Sequence, residues 1–378
     1  MRYFLLLLIS LPLWAQPRFE AQTLDSSIRI GYGLAIGDVD GDQRPDVLLA
    51  DQKQIFWYRN RDWRRFVMAE NLTEHDNVCL AAKDLNGDGR VEVAVGAQWN
   101  PGETSDATQS GSVHYLVRPA DPTQPWQAVA LPHEPTVHRM RWVPTSQQQW
   151  DLVVVPLHGR GNQNGEGAGV KVLAYRFPEA ALSAAPARRW DTLTVNQEMH
   201  MTHNLAVDLT RRPRLLLAGK EGVLELTYHR GTWQSKPLAG MTQGAGEVRL
   251  GKGKTPFVAT IEPMHGNALV VYREGKRQVL TDRLNQGHAL ACADLLALGY
   301  DQIVVGWRNP DADGKVGIQL FVPTDASGTA WTAHWVDENG MACEDLNVAD
   351  LDGDGRLDII AAGRDSHNLK VYWNRKPE

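Results

Sequence analysis

A pattern of four short apolar segments recurs along the chain and limits the folds open to it. Within each repeat, the second segment ends near glycine, the third is rich in Val, Leu and Tyr, and the fourth usually starts near Trp. Repeats of roughly 40–60 residues with four strands each are typical of β-propellers. The sequence therefore predicts an all-β, seven-bladed β-propeller of four-stranded antiparallel blades. The innermost strands begin near Leu34, Val78, Val137, His203, Glu247, Ala289 and Leu346.

The fourth segments predict how the ring closes. Six of them follow their own repeat, starting near Trp63, Trp126, Trp190, Trp233, Arg277 and Trp331. The seventh lies at the other end of the chain, because residues 18–24 resemble residues 126–131. We expect this N-terminal strand to complete the C-terminal blade, since closure removes exposed sheet edges. A pair of β-sandwiches would not predict this match. Helical periodicity occurs only at Glu179–Ala185, which fits a loop better.

The N-terminus indicates export. Residues 1–15 have a basic start, a short apolar run and a terminal small residue, which is typical of a secretory signal peptide. The run is too short for a membrane helix, and no later stretch is long and apolar enough. We expect residues 16–378 to form a single propeller domain that is secreted, periplasmic or extracellular, and monomeric.

Charge and cysteine content narrow the classes of partner and cofactor. The net charge of −6 and the absence of a basic tract argue against nucleic acid. The three cysteines, Cys79, Cys292 and Cys343, do not form a disulfide framework. All three fall on predicted innermost strands, where a free thiol acts as a small apolar group. The alternative is that one of them binds a metal.

Three loops between first and second strands have the spacing of calcium ligands. Each places oxygen-bearing side chains at positions 1, 3, 5 and 9, and Ca²⁺ prefers six to eight oxygen ligands. The helices and the twelfth-position Glu of an EF-hand are missing, so we expect calcium loops within β-hairpins. The predicted ligands are Asp38, Asp40, Asp42 and Asp46, then Asp84, Asn86, Asp88 and Glu92, and finally Asp350, Asp352, Asp354 and Asp358.

These segments resemble a known repeat family. Residues 37–42 (GDVDGD), 84–89 (DLNGDG), 93–97 (VAVGA) and 350–355 (DLDGDG) are similar to the FG-GAP/VCBS repeats of integrin-alpha-type propellers. The resemblance extends over the predicted mature chain. It implies the fold and the calcium loops, whereas propellers of this kind have many different ligands.

Histidines gather at one predicted face. Antiparallel blades place the calcium loops on one side of the disc, so the starts of first strands and the ends of second strands meet at the other. Most of the 12 histidines map to this channel mouth. Neutral imidazoles with a carboxylate suit a zinc-type site. His203, His265 and His288, with Glu247 nearby, are the predicted ligands. A solvated polar plug of the channel is the alternative.

An acid–base role is the second interpretation of the mouth. His138 and His158 are predicted on neighbouring strands of one blade, where such a pair can exchange protons near neutral pH. An arginine there could neutralise a substrate carboxylate or an enolate; Arg160, Arg308 and Arg364 are the candidates. Trp99 and Trp307 could stack on a sugar. Tyr115 or Tyr228 could be the acid, although their position does not follow from the sequence.

A second, looser resemblance supports this interpretation. Residues 136–142 (TVHRMRW), with His158 after the next strand, are similar to the propellers of aldos-2-ulose dehydratases and ulvan-type polysaccharide lyases. Those propellers use paired histidines for elimination with a metal nearby, which implies His138 and His158 as the acid–base pair. We expect no counterpart of the dehydratase's extra cupin domains in residues 16–378. Two hypotheses stay open: a carbohydrate-active lyase or dehydratase, and a calcium-stabilised, non-catalytic module that binds a glycan or protein.

Overall fold

The computed structural model describes residues 16–146, 149–178, 190–209, 213–241 and 243–376. These residues form 28 strands in seven four-stranded sheets, and no helix occurs among them. The fold is a seven-bladed β-propeller, as the repeat predicts. The predicted signal peptide and the segment Glu179–Ala185 lie outside the described residues.

Blades are numbered in chain order. The first three contain β2–β5 (Gly33–Gly37, Asp46–Ala50, Gln54–Tyr58, Arg65–Glu70), β6–β9 (Cys79–Lys83, Glu92–Ala97, Ser112–Val117, Gln127–Leu131) and β10–β13 (Val137–Pro144, Trp150–Pro156, Val172–Arg176, Thr192–Asn196). The next three contain β14–β17 (Thr202–Asp208, Arg214–Gly219, Gly222–His229, Thr232–Pro237), β18–β21 (Glu247–Gly251, Phe257–Glu262, Ala268–Arg273, Lys276–Thr281) and β22–β25 (Gly287–Ala293, Gln302–Trp307, Gly317–Pro323, Trp331–Glu338). Blade 7 contains β26–β28 (Cys343–Ala349, Asp358–Gly363, Asn368–Arg375) and β1 (Arg18–Asp25).

The N-terminal strand closes the ring. β1 pairs antiparallel with β28, with Arg18 opposite Arg375 and Ala21 opposite Tyr372. The sheet order of this blade is β1, β28, β27, β26, so the two ends of the chain share one sheet. The predicted closure is confirmed.

The core lies between neighbouring blades. Every residue of β3, β7 and β27 is buried, because both faces of these second strands are covered by adjacent blades. Outer strands such as β17 alternate between exposed and half-buried residues, as expected for an edge facing solvent. A Cβ on Gly96 would lie 2.7 Å from Cys79 Sγ and 2.9 Å from Val137 Cγ1, so the close approach of blades 2 and 3 requires glycine there.

The three cysteines are free, as predicted. Cys79 and Cys343 are buried, whereas Cys292 is half-buried and lies on the channel side of blade 6. Within the described part of the chain, no helix could span a bilayer.

Candidate functional site

The three predicted calcium loops share one backbone geometry. In the first, Asp38 accepts hydrogen bonds from the amides of Gly41 (2.6 Å) and Gln43 (2.7 Å). The first aspartates of the other two loops accept the equivalent bonds. One carboxylate oxygen from each of three residues lies within 4.8 Å of the others in two of the loops. All-oxygen donors at this spacing fit a calcium ion. These groups are Asp38, Asp40 and Asp42, and Asp350, Asp352 and Asp358.

The ninth loop position differs from the others by being buried. Asp46 accepts the amides of Val39 (2.9 Å) and Asn60 (2.8 Å), so it ties the loop to the end of the third strand. Glu92 and Asp358 occupy the same place in their loops and are also buried. Burial raises the pKa of Asp46 and of Glu92 to about 7. A cation beside these carboxylates would offset the cost of burying their charge.

In blade 6, the loop between the first and second strands has the same hydrogen-bond pattern, but a glutamine replaces the ninth-position carboxylate. Asp294 accepts the amides of Leu298 (2.8 Å) and Gly299 (2.7 Å), as the first aspartate of a calcium loop does. Gln302 holds the ninth position, is fully buried, and accepts the amide of Leu296 at 2.9 Å. The sequence comparison missed this relationship because Gln302 is not a carboxylate. Its position, eight residues after Asp294, was the available signal.

At the opposite face, all seven blades contribute side chains to one ring around the channel mouth. We call this ring the mouth site. It consists of Tyr32 from blade 1, Asp76 and Trp99 from blade 2, His138 and Arg139 from blade 3, His203 from blade 4, Glu247 and His265 from blade 5, His288 and Arg308 from blade 6, and Glu344 and Arg364 from blade 7.

β-Bulges position four of these side chains. The pairing of first and second strands slips at His138, at His203 and at His288, and again at Glu344 in blade 7. A bulge leaves one residue unpaired and turns its side chain out of the regular alternation. The same strand pairs in blades 1, 2 and 5 have no shift. The bulges therefore direct these groups toward the mouth.

Three histidines converge in this site. His203, His265 and His288 each offer a ring nitrogen within 4.8 Å of the others, and the Nε2 atoms of His203 and His265 lie 2.6 Å apart. His203 Nδ1 is 3.1 Å from the carbonyl of Gly246, and His288 Nδ1 is 2.5 Å from that of Glu344. Donation from Nδ1 leaves the Nε2 lone pairs free for a shared ligand, which is the arrangement of metal-binding histidines.

Glu247 lies behind these histidines. Its Oε1 is 3.3 Å from His203 Nδ1, and both carboxylate oxygens accept hydrogen bonds from the Asn204 amide. Burial opposes its ionisation, but the bond to His203 and the charge of Arg249 keep the pKa of Glu247 low. The carboxylate predicted near the ligands thus orients His203 and increases its basicity.

His138 borders the three histidines under an aromatic cover. Its ring stacks on Trp99 at a centroid distance of 5.0 Å and lies 4.6 Å from the His203 ring. Its Nδ1 donates to the His203 carbonyl (2.9 Å), and Arg139 Nη1 lies 3.1 Å from Nε2. Burial and the Arg139 charge lower the pKa of His138, so its ring is neutral at neutral pH. Arg139 was not singled out from the sequence.

Two arginines share one buried carboxylate on the other side. Glu344 is 3.2 Å from Arg308 Nη1 through Oε2 and 3.3 Å from Arg364 Nη1 through Oε1. Two cations therefore face a single anion. Arg308 Nε is buried and has no hydrogen-bond partner. Arg308 and Arg364 can therefore donate hydrogen bonds to a further carboxylate or to an enolate oxygen.

A tyrosine at the mouth was missed by the sequence reasoning. Tyr32 lies beneath the guanidinium of Arg364, 5.5 Å from ring centroid to Cζ, and donates a hydrogen bond to Asp76 (3.2 Å). Burial and the charge of Asp76 raise the pKa of Tyr32, so the phenol keeps its proton. The suggested Tyr115 packs in the core against Phe177, and Tyr228 packs on Trp233 in an outer strand.

The side chains of three predicted residues form no hydrogen bond, ion pair or ring contact with the mouth site within the described part of the chain. The pKa of His158 is lowered by burial alone, and its Nδ1 has no hydrogen-bond partner. Among the described residues, the His158 ring makes no contact with the His138 ring. Arg160 pairs with Glu134 (2.9 Å) outside the ring. Trp307 is 2% exposed and packs in the core, so it presents no face to a sugar. The other predicted mouth residues, Trp99, Arg308 and Arg364, are brought together.

The fold and its loops define a seven-bladed β-propeller with FG-GAP-like repeats. Residues 38–95 match the family model of the FG-GAP-like repeat. Residues 110–275 match the family model of the aldos-2-ulose dehydratase β-propeller domain. The resemblances to the FG-GAP repeat and to the dehydratase propeller are thereby confirmed over these residues. The second match includes every predicted zinc ligand except His288, which follows it in the chain.

Solved structures agree on the fold. BBS1N, in its complex with ARL6DN, superposes with a TM-score of 0.58 at 12% identity, over 95% of this chain and 97% of that one. A chain of the mitotic checkpoint complex superposes with a TM-score of 0.59 at 13% identity, over 99% of both. At such identities the likeness concerns architecture alone. A comparison with curated protein sequences gives no significant match.

Proposed function

We propose that this protein is a secreted, calcium-stabilised lyase or dehydratase that removes a group from an acidic or keto sugar by β-elimination at the mouth site. The observation that carries the proposal is the juxtaposition of three convergent histidines with the Arg308–Glu344–Arg364 group. Elimination next to a carbonyl needs a stabilised enolate, a proton acceptor and a proton donor. Each need has a candidate side chain in the ring.

The three histidines suit a zinc ion. The Nε2 atoms of His203 and His265 meet, and His288 offers a ring nitrogen within 4.8 Å of a nitrogen from each. Two of the Nδ1 atoms face carbonyl oxygens, and Glu247 supports His203 from behind. Three histidines with an open fourth position are a catalytic zinc arrangement. His203, His265 and His288 would hold the ion, which when bound would polarise a substrate oxygen. Calcium in the loops of blades 1, 2 and 7 would keep the opposite face rigid.

The other side chains of the mouth site would bind the substrate and transfer its protons. Arg308 and Arg364 would hold the substrate carboxylate or carbonyl oxygen, because together they carry one positive charge beyond that of Glu344. His138 would accept the proton at Nε2 after Arg139 turns toward the substrate. Tyr32 would donate a proton to the leaving oxygen, and Trp99 would cover one sugar face. His158 and Arg160 have no place in this scheme.

A screen of acidic glycans and keto sugars tests the proposal. The unsaturated product of elimination absorbs in the ultraviolet, and elemental analysis measures zinc in the same samples. We expect product and bound zinc from the wild-type protein and neither from His265→Ala. His334→Ala, in an outer strand of blade 6, is the matched control and should behave as wild type. Wild-type protein that retains zinc but gives no product across both substrate classes would contradict the proposed activity.

A non-catalytic glycan-binding propeller is the second candidate. One observation favours it: both ring nitrogens of His138 already have partners within the protein. Such a module would bind acidic oligosaccharides at Arg308 and Arg364 without changing them. Calorimetric binding with full recovery of intact oligosaccharide would support this candidate over the lyase.

A further inference from the structure

The central channel contains a polar cavity that borders the mouth site, since Arg249 in its lining pairs with Glu247. Its volume is about 350 Å³. Arg141 lies three residues after His138 on the same strand, which places it about 10 Å farther along the channel. The cavity therefore lies toward the calcium-loop face. Its polar lining consists of Arg141, Arg249, Asp345, Asn347 and the thiol of Cys292.

The two arginines in this cavity differ in their partners. Arg249 pairs with Glu247 (3.3 Å) and donates to the carbonyl of Val248. Arg141 donates to the carbonyl of Met140 (2.8 Å), and no carboxylate of the described residues lies within ion-pair distance of it. Arg141 is thus a half-buried guanidinium without a salt-bridge partner, which Asp345 and Glu247 attract only from a longer distance.

The one carboxylate in the lining is engaged by the backbone. Asp345 accepts the amides of Leu34 (2.8 Å) and Leu346 (2.9 Å), one on each oxygen. The Asn347 amide donates to the carbonyl of Leu34 (2.9 Å). The lining therefore holds two guanidinium groups and one carboxylate, and Glu247, just outside the lining, balances the charge of Arg249. Burial followed by repulsion from Arg249 lowers the pKa of Arg141 to about 10, so the group stays charged at neutral pH.

We propose that this cavity binds a small oxyanion between Arg141 and Arg249. A guanidinium presents paired N–H donors that match the oxygens of phosphate, sulfate or carboxylate. An anion there would offset the charge of Arg141 and bridge blades 3 and 5 across the channel. This site does not depend on the activity proposed for the mouth.

The lining includes a built-in reporter of occupancy. Cys292 is half-buried in the cavity, whereas Cys79 and Cys343 are 2% and 0% exposed. Burial raises the pKa of the Cys292 thiol, so the reaction is run at alkaline pH, where iodoacetamide should reach Cys292 first and Cys292→Ser should lose this reaction. We expect inorganic phosphate, titrated at constant ionic strength with chloride, to slow alkylation several-fold with a saturating dose dependence. Sulfate and acetate, run as parallel arms, distinguish a tetrahedral oxyanion from a carboxylate.

Charge variants test the assignment. Arg141→Gln should lose the protection by phosphate, while Arg61→Gln, at an exposed position, should retain it. If Arg141→Gln does not fold by its thermal melt, Arg249→Gln takes its place with the same expectation. An alkylation rate in wild-type protein that ignores all three oxyanions would overturn the proposal. Equal protection of wild type and the folded channel variant would do so too.

Discussion

The role of Glu247 behind the three histidines leads to a quantitative prediction. Glu247→Gln removes the buried charge 3.3 Å from His203 Nδ1 but keeps the shape of the side chain. The Gly246 carbonyl, 3.1 Å away, still accepts from the same nitrogen, so the His203 ring keeps its orientation. Loss of such an outer partner weakens metal binding by about 10- to 100-fold. Because orientation survives, we expect about tenfold, or ~1.4 kcal/mol.

The assay is a competition titration of zinc against a chromogenic chelator. His203→Ala removes a ligand and should lose more affinity than Glu247→Gln. Glu225→Gln, which pairs with Arg214 and Lys236 in an outer strand, is the matched control and should titrate as wild type. Thermal melts without metal separate a loss of affinity from a loss of folding. Equal zinc affinities of wild type and Glu247→Gln, with both proteins folded, would refute the reasoning.

Four further predictions concern stability and activity. Chelating Ca²⁺ should lower the melting temperature, because the loop carboxylates would then repel one another; an unchanged melt after full demetallation would contradict the structural role. His138→Ala should abolish elimination while circular dichroism stays native, and Tyr32→Phe should lower kcat through loss of the proton donor; full activity of either variant would exclude the assigned role. Replacing both Ala21 and Gln22 by proline should destabilise the protein by about 1 kcal/mol or more, because amides of adjacent strand residues point to opposite sides and one of the two faces β28; an unchanged midpoint in denaturant unfolding would argue against closure by β1.

The mouth site shows where sequence reasoning succeeded. His203, His265 and His288 lie far apart in the chain, yet the repeat assigns each to the same end of its blade. The propeller symmetry then brings them together without any knowledge of distances. Arg308, Arg364 and Trp99 were placed by the same argument.

The failures have local physical causes. Trp307 occupies the right position in the repeat, but its ring packs inward against Trp335. The sequence predicted His138 and His158 opposite each other on neighbouring strands, whereas the bulge at His138 turns its ring toward His203 in the next blade. Tyr32 directly precedes β2, where neither the histidine pattern nor the calcium-ligand spacing marks a tyrosine as part of the mouth.

The sequence by itself determined the architecture, because each repeat must bury two faces of its strands and the unmatched N-terminal strand has only one blade to complete. It also determined which face carries oxygen ligands and which carries imidazoles, since strand polarity is the same in every blade. Only the tertiary structure decided which of those side chains meet. A bulge shifts the direction of a side chain within one or two residues, and burial and the width of the channel decide which neighbours it reaches. A repeat pattern assigns a residue to one end of a blade but does not predict these local directions.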